Sequence, residues 1–140
     1  MFRTFALSLG LGLTLAGMAH AATPAYDCTM PQTENGKGWI APQIIFAVAG
    51  DEAVVYDGVI HNKRGKPISA KVVEDTEAKL AIRWEMGMRD GSGNSAIMRY
   101  KATLLRKNNV AIVTARPAGY DNKLEERGTC KEIDLEKVKK

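Results

Sequence analysis

LAIRWEMGMRDGSGNSAIMRYKATL, residues 80–104, is the stretch on which the fold turns. Leu80, Ile82, Trp84, Met86 and Met88 fall on one parity, and Arg83, Glu85 and Arg89 on the other, with Lys79 just ahead of them. A period of two with apolar residues on one side is the pattern of a β-strand that has one dry face. Ala96, Met98, Tyr100, Ala102 and Leu104 repeat it against Arg99, Lys101 and Thr103. Between the two runs, Asp90 to Ser95 (DGSGNS) is a cluster of turn formers, so residues 80–104 are predicted to fold as a β-hairpin.

Working outward, the same period recurs in shorter pieces. Gln43–Ala49 (QIIFAVA) is an apolar run broken by Gly50-Asp51. Val54, Tyr56 and Ile60 alternate with Val55, Asp57 and Val59, and that run ends at the turn His61 to Pro67. Ile68–Val73 (ISAKVV) stops in the polar stretch 74–77, and Val110–Ala115 (VAIVTA) follows Lys107-Asn108-Asn109 and ends at Arg116-Pro117. Turn centres near 50, 64, 76, 92, 108 and 119 are spaced about 11 to 16 residues apart, and no helical pattern of 10–15 residues falls between them. Consecutive strands joined by short loops predict an all-β, antiparallel up-and-down meander of six strands, or seven counting Leu124–Cys130, curled into a small barrel or half-barrel. A two-sheet β-sandwich is the alternative. Phe46, Tyr56, Trp84 and Tyr100 fall on the apolar parity and are expected to fill the core, the rival being a ligand pocket softened by the neighbouring methionines.

The ends of the chain carry different signals. Arg3 precedes an uncharged apolar run, Phe5 to Gly17, and Ala19-His20-Ala21 offers small residues at the two positions a signal peptidase reads. That run of 13 residues is shorter than the ~20 needed to anchor a helix in a bilayer. Residues 1–21 are therefore predicted to be a cleaved signal peptide and 22–140 a single β domain, with 22–39 irregular, 40–130 in strands and 131–140 a tail whose residues 132–140 form one or two helical turns or fray. Cleavage removes one base and no acid, so the net charge falls from +4 to +3. The destination is periplasmic or secreted, with no membrane span in the mature chain. In an oxidising compartment two cysteines read as a disulfide, and Cys28 and Cys130 have only one possible pairing. Residues Thr23 to Trp39, pinned by that bridge, are expected to cover an open sheet edge.

Catalytic and metal chemistry find little support. After cleavage His61 is the one histidine, placed in a predicted turn, and no serine sits in a GxSxG elbow. Neither CxxC nor a phosphate-cradling glycine loop occurs. Asp90 to Asn94 begins like a calcium loop, but Ser95 stands where a glycine is required and Lys101 where a closing glutamate is required. The adjacent carboxylates, such as Glu125-Glu126, point to opposite faces of an extended chain. No cofactor and no metal are predicted; a carboxylate pair assembled only in space stays open as a small-hydrolase reading.

What remains is surface. If the hairpin keeps its apolar faces together, Arg83, Arg89, Arg99 and Lys101 share the opposite face, with Glu85 facing Arg99 in one register and Lys101 in another. That set is the candidate anion-binding face, for lipid head groups, an acidic glycan or an acidic protein. Nucleic acid is not expected, because the chain is exported and exposed aromatics do not interleave with its bases. In architecture the cysteine-tied meander resembles the small lipocalin-like barrels; no family is assigned. Small periplasmic lysozyme inhibitors share its size and compartment, but would be expected to present acid to a basic enzyme, whereas this chain is net positive. The expected function is a non-catalytic binding module for an envelope or extracellular ligand. An inhibitory or structural protein acting by protein–protein contact is the alternative.

Overall fold

The structure, a computed structural model, describes residues 23–89 and 91–135. The signal-peptide reading of residues 1–21 lies outside them. Eight strands and one short helix follow in order: β1 (Pro24–Thr29), β2 (Gln43–Ala49), β3 (Glu52–Asp57), α1 (Gly58–Arg64), β4 (Ile68–Asp75), β5 (Lys79–Arg89), β6 (Ser95–Leu105), β7 (Val110–Pro117) and β8 (Leu124–Asp134). Each strand pairs antiparallel with the next, and β1 pairs with β8, so the meander closes into a barrel. Closure removes the open edge of a half-barrel and rules out the sandwich, because every strand has a partner on both sides.

The hairpin forms as its period predicts. β5 and β6 share eleven pairs from Lys79–Leu105 to Arg89–Ser95, the longest ladder of the barrel. Leu80, Ile82, Trp84 and Met86 face the interior with Met98, Tyr100, Ala102 and Leu104. Trp84 stacks on its cross-strand partner Tyr100 at 5.3 Å between ring centroids, and Tyr26 packs on its own partner Phe46 at 5.2 Å. Such pairs add about 0.5–1.5 kcal/mol beyond the area they bury. With Ile44, Val55, Val113 and Leu124 these side chains form one cluster that fills the barrel interior.

Four expectations change. Pro24–Thr29, placed in an irregular segment, is strand β1; six residues interrupted by Asp27 are too few to show a period, and its partners are distant in sequence. The tail prediction fails at residues 131–134, which continue β8 because they pair with Pro24–Asp27; residues 136–140 lie outside the description. The parity of β3 is opposite to that predicted. Ala53 and Val55 are buried while Val54 is 45% exposed and Tyr56 is only half-buried against the core, since two adjacent valines fit either parity. His61 sits on α1, not in a turn, and Ile60, counted with the strand, is the residue by which that helix enters the core.

The barrel's two ends differ. At one end lie the two-residue turn 50–51, the turns 76–78 and 106–109, and the beginning and end of the described chain. Arg106 latches this end: its guanidinium donates to Tyr26 Oη at 2.9 Å, to Asp75 at 2.7 Å and to the Thr76 carbonyl at 3.0 Å. The opposite end carries the long connections, residues 30–42, α1 and residues 118–123. There Met30, Ile40 and Ala41 are buried, so the segment expected to cover an edge instead plugs the barrel mouth. Glu126, 3% exposed, holds the plug: one carboxylate oxygen accepts from the Thr33 amide at 2.8 Å, the Thr33 hydroxyl at 2.9 Å and the Gly36 amide at 3.1 Å. A buried carboxylate with three donors is satisfied without a cation.

The sulfurs of Cys28 and Cys130 are bonded, as predicted, and the two residues are direct cross-strand partners on β1 and β8. The bridge therefore crosses the seam where the first strand meets the last. A disulfide fits a chain that matures outside the reducing cytoplasm. Among the described residues no helix is long and apolar enough to cross a membrane.

Candidate functional site

The outer wall of β4–β7 carries the cations. On β5 and β6 the exposed parity is that of Arg83, Glu85, Arg89, Arg99 and Lys101. The register pairs Glu85 with Arg99, and an ion pair joins them at 3.0 Å. It also sets Arg83 directly opposite Lys101, and on its other side Arg83 faces Lys71 of β4. Three cations thus stand in a row across three adjacent strands, at about 5 Å spacing. Arg99 in turn faces Arg116 of β7, one step along the strands.

The wall is not free of acid. Glu52 lies opposite Lys71, Glu74 shares the depression beside Arg83, and Glu125 is held by Lys123 at 2.7 Å. Even so, among the described residues Lys71, Arg83, Lys101 and Arg116 take part in no ion pair. Like charges directly opposite on a sheet are destabilising, by a few tenths to about 1 kcal/mol per pair. Arg83, Lys101 and Arg116 line a depression that also contains Val73 and Thr114, so aliphatic carbon lies next to the guanidinium groups.

Of the predicted set, Arg83, Arg99 and Lys101 come together. Arg89 does not: it faces Ser95 at the far end of the hairpin, six residues and about 20 Å along the strand from Arg83. Two members were missed. Lys71 belongs to the row only through the β4–β5 register, and Arg116 lies beyond the point where the β7 run was expected to stop. Lys71 alternates with buried Ala70, a signal visible in the sequence; its alignment with Arg83 passes a bulge between Val72 and Glu74 and was not visible.

His61, Asp57, Tyr100, Glu125 and Glu126 each have a hydrogen-bond or ion-pair partner. His61 Nδ1 is hydrogen-bonded to Tyr56 Oη, with the rings edge to face. Asp57 caps α1 by accepting from the Ile60 amide at 2.8 Å, and burial pushes its carboxyl above the usual 3.8. Tyr100 donates to the Trp39 carbonyl at 2.9 Å, and burial, helped by Asp57, pushes its hydroxyl up to about 12. Glu125 and Glu126 point to opposite sides of β8, one to Lys123 outside and one to Thr33 inside. Among the described residues no three His, Cys, Asp or Glu side chains are grouped to hold a metal. Comparison with protein-family models, with curated proteins and with solved structures finds no match.

Proposed function

We propose that this protein is an exported, non-catalytic binding module whose β4–β7 wall takes an anionic ligand of the cell envelope or the extracellular medium. The observation that carries the reading is the row Lys71, Arg83 and Lys101: three opposed cations that no ion pair among the described residues relieves. A fold tolerates such a row at a cost in stability, and an anion laid across it would reverse the sign of the interaction. Arg99 and Arg116 widen the field by a second step along the strands. Export to the periplasm or beyond rests on the apolar leader ending in Ala19-His20-Ala21 and on the seam disulfide.

Calorimetric titration with inorganic tripolyphosphate tests the site. Binding is expected at low salt and should weaken steeply as ionic strength rises, because exposed charges are screened within about 10 Å at 0.1 M salt. Arg83→Ala and Lys101→Ala should each weaken it by about fivefold, on the order of 1 kcal/mol per charge. Affinity indifferent to salt, or unmoved by both substitutions, would sink the proposal. Mass analysis of the protein recovered from its own host tests export: the chain should begin at Ala22 and carry no free thiol.

A further inference from the structure

At the plugged mouth of the barrel a second depression adjoins the cation wall, with Lys123 lining both. A groove of about 860 Å³ runs between residues 34–39 of the plug, the rim of β6 and the connection 117–124. Its floor is core: Met98 and Leu124 are buried side chains of the barrel interior. Its walls include Trp39, Met88 and Ile97, and the Tyr120 ring stands at its edge. Ile97 is 50% exposed and Tyr120 69% exposed, two of the four large apolar side chains that the described surface leaves open. Barrel mouths are a recurrent place for ligands, and an apolar floor with a few polar groups at the rim is the usual composition.

The groove is preformed. The Glu126 carboxylate fixes Thr33 and Gly36, the Glu125 amide donates to the Asn35 carbonyl at 3.2 Å, and the Ala118 amide donates to the Ile97 carbonyl at 2.8 Å. Both walls are thus held in place by hydrogen bonds, which lowers the ordering cost of binding.

The rim carries both signs of charge. Lys37 and Lys123 line it together with Glu34, and Lys123 is shared with Glu125. An ammonium group suits Glu34 and the open face of the Tyr120 ring, since cations are attracted to aromatic faces. A phosphate suits Lys37, which has no ion pair among the described residues. Met98 in the floor and Met88 in the wall suit a flexible hydrocarbon chain, because thioether side chains repack readily. We infer that the mouth groove binds a single-chain zwitterionic amphiphile of the lysophospholipid kind, with its chain over Met98 and Leu124 and its head group between Glu34 and Lys37.

n-Dodecylphosphocholine, kept below its micelle-forming concentration, is the probe. Of the two tryptophans, Trp84 is 4% exposed and stacked on Tyr100, so a change in emission reports Trp39. Saturable binding with such a change is expected, confirmed by calorimetry. Ile97→Asp and, independently, Tyr120→Ser alter exposed side chains and should leave the far-ultraviolet spectrum of the barrel intact. The first should weaken binding tenfold or more by setting a charge in the apolar wall, and the second severalfold. Glu34→Gln should weaken dodecylphosphocholine by about two- to fivefold, the range of an exposed charge contact, and leave dodecanoate unaffected or bound more tightly. Lys37→Gln should weaken both. Arg83→Ala should change neither, which separates this site from the wall. Absence of saturable binding, indifference to Ile97→Asp, or indifference to Glu34→Gln would each overturn the inference; loss of binding in Arg83→Ala would move the ligand to the wall.

Discussion

At the residue scale, one glycine and two titratable side chains each make a separate prediction. A Cβ built on Gly128 would lie 2.1 Å from the Thr29 carbonyl oxygen and 2.8 Å from Met30 Sδ. Backbone cannot yield as a side-chain tip can, so Gly128→Ala is expected to lower stability by about 2–3 kcal/mol, read as a drop in the urea midpoint. Asp57 makes a different prediction. Its carboxyl is raised by burial, only partly offset by the Ile60 and Val59 amides, so the folded state holds the proton more tightly than the unfolded chain. That contribution favours the fold below about 3.8 and is lost as pH rises through the higher folded value. Asp57→Asn keeps an acceptor for the Ile60 amide and removes the charge. Stability at neutral pH should be unchanged or slightly higher, with a flatter slope above pH 4 in denaturation curves; Asp57→Ala should cost about 1 kcal/mol through the lost cap. Tyr100 acts at the alkaline end. Its hydroxyl is raised to about 12, so the stability it lends is present below pH 10.0 and disappears as pH passes 12. Tyr100→Phe should remove that alkaline limb from the stability profile. None of these roles was legible in the sequence, since a glycine or an aspartate does not name the atoms that will surround it.

At the scale of elements, legibility followed length. The β5–β6 hairpin was readable down to its dry face because eleven-residue strands repeat their period often enough to exclude the other parity. β1 and β3, at six residues each, did not repeat it enough: one was read as irregular and the other with its faces exchanged. Helix α1 spans seven residues, two turns, and its Asp57 cap and Gly65 stop resemble turn punctuation as closely as helix punctuation. The plug, residues 30–42, is held by side-chain to backbone bonds that no local pattern announces. It makes its own prediction. A Cβ on Gly36 would sit 2.4 Å from Glu126 Oε1, so Gly36→Ala should dislodge the clamp. Limited proteolysis should then cut within residues 30–42 while the barrel's far-ultraviolet spectrum persists. Cleavage no faster than in the unaltered protein would show that the clamp does not hold the plug.

At the scale of the whole molecule, closure is the decisive event. The Cys28–Cys130 bond spans 102 residues of sequence and joins strands that also pair through their backbones. In the chain-entropy account a loop of that length is worth about 4–5 kcal/mol, most of it lost by the unfolded chain. Cys28→Ser with Cys130→Ser should lower the unfolding free energy by an amount approaching that figure while the barrel still assembles; a loss under about 1 kcal/mol would mean that backbone pairing alone holds the seam. The sequence by itself determined the strand character of the body, the central hairpin with its charged face, and the pairing of the two cysteines. Each of those is local or is fixed by counting: period, turn residues, number of thiols. Only the tertiary structure decided that there are eight strands, that the first meets the last, that residues 30–42 plug the mouth, and that Lys71 and Arg116 join Arg83, Arg99 and Lys101 while Arg89 stands apart. Those depend on register between strands, and register is set by which side chains pack and which backbone amides pair across the barrel, quantities that no single strand contains.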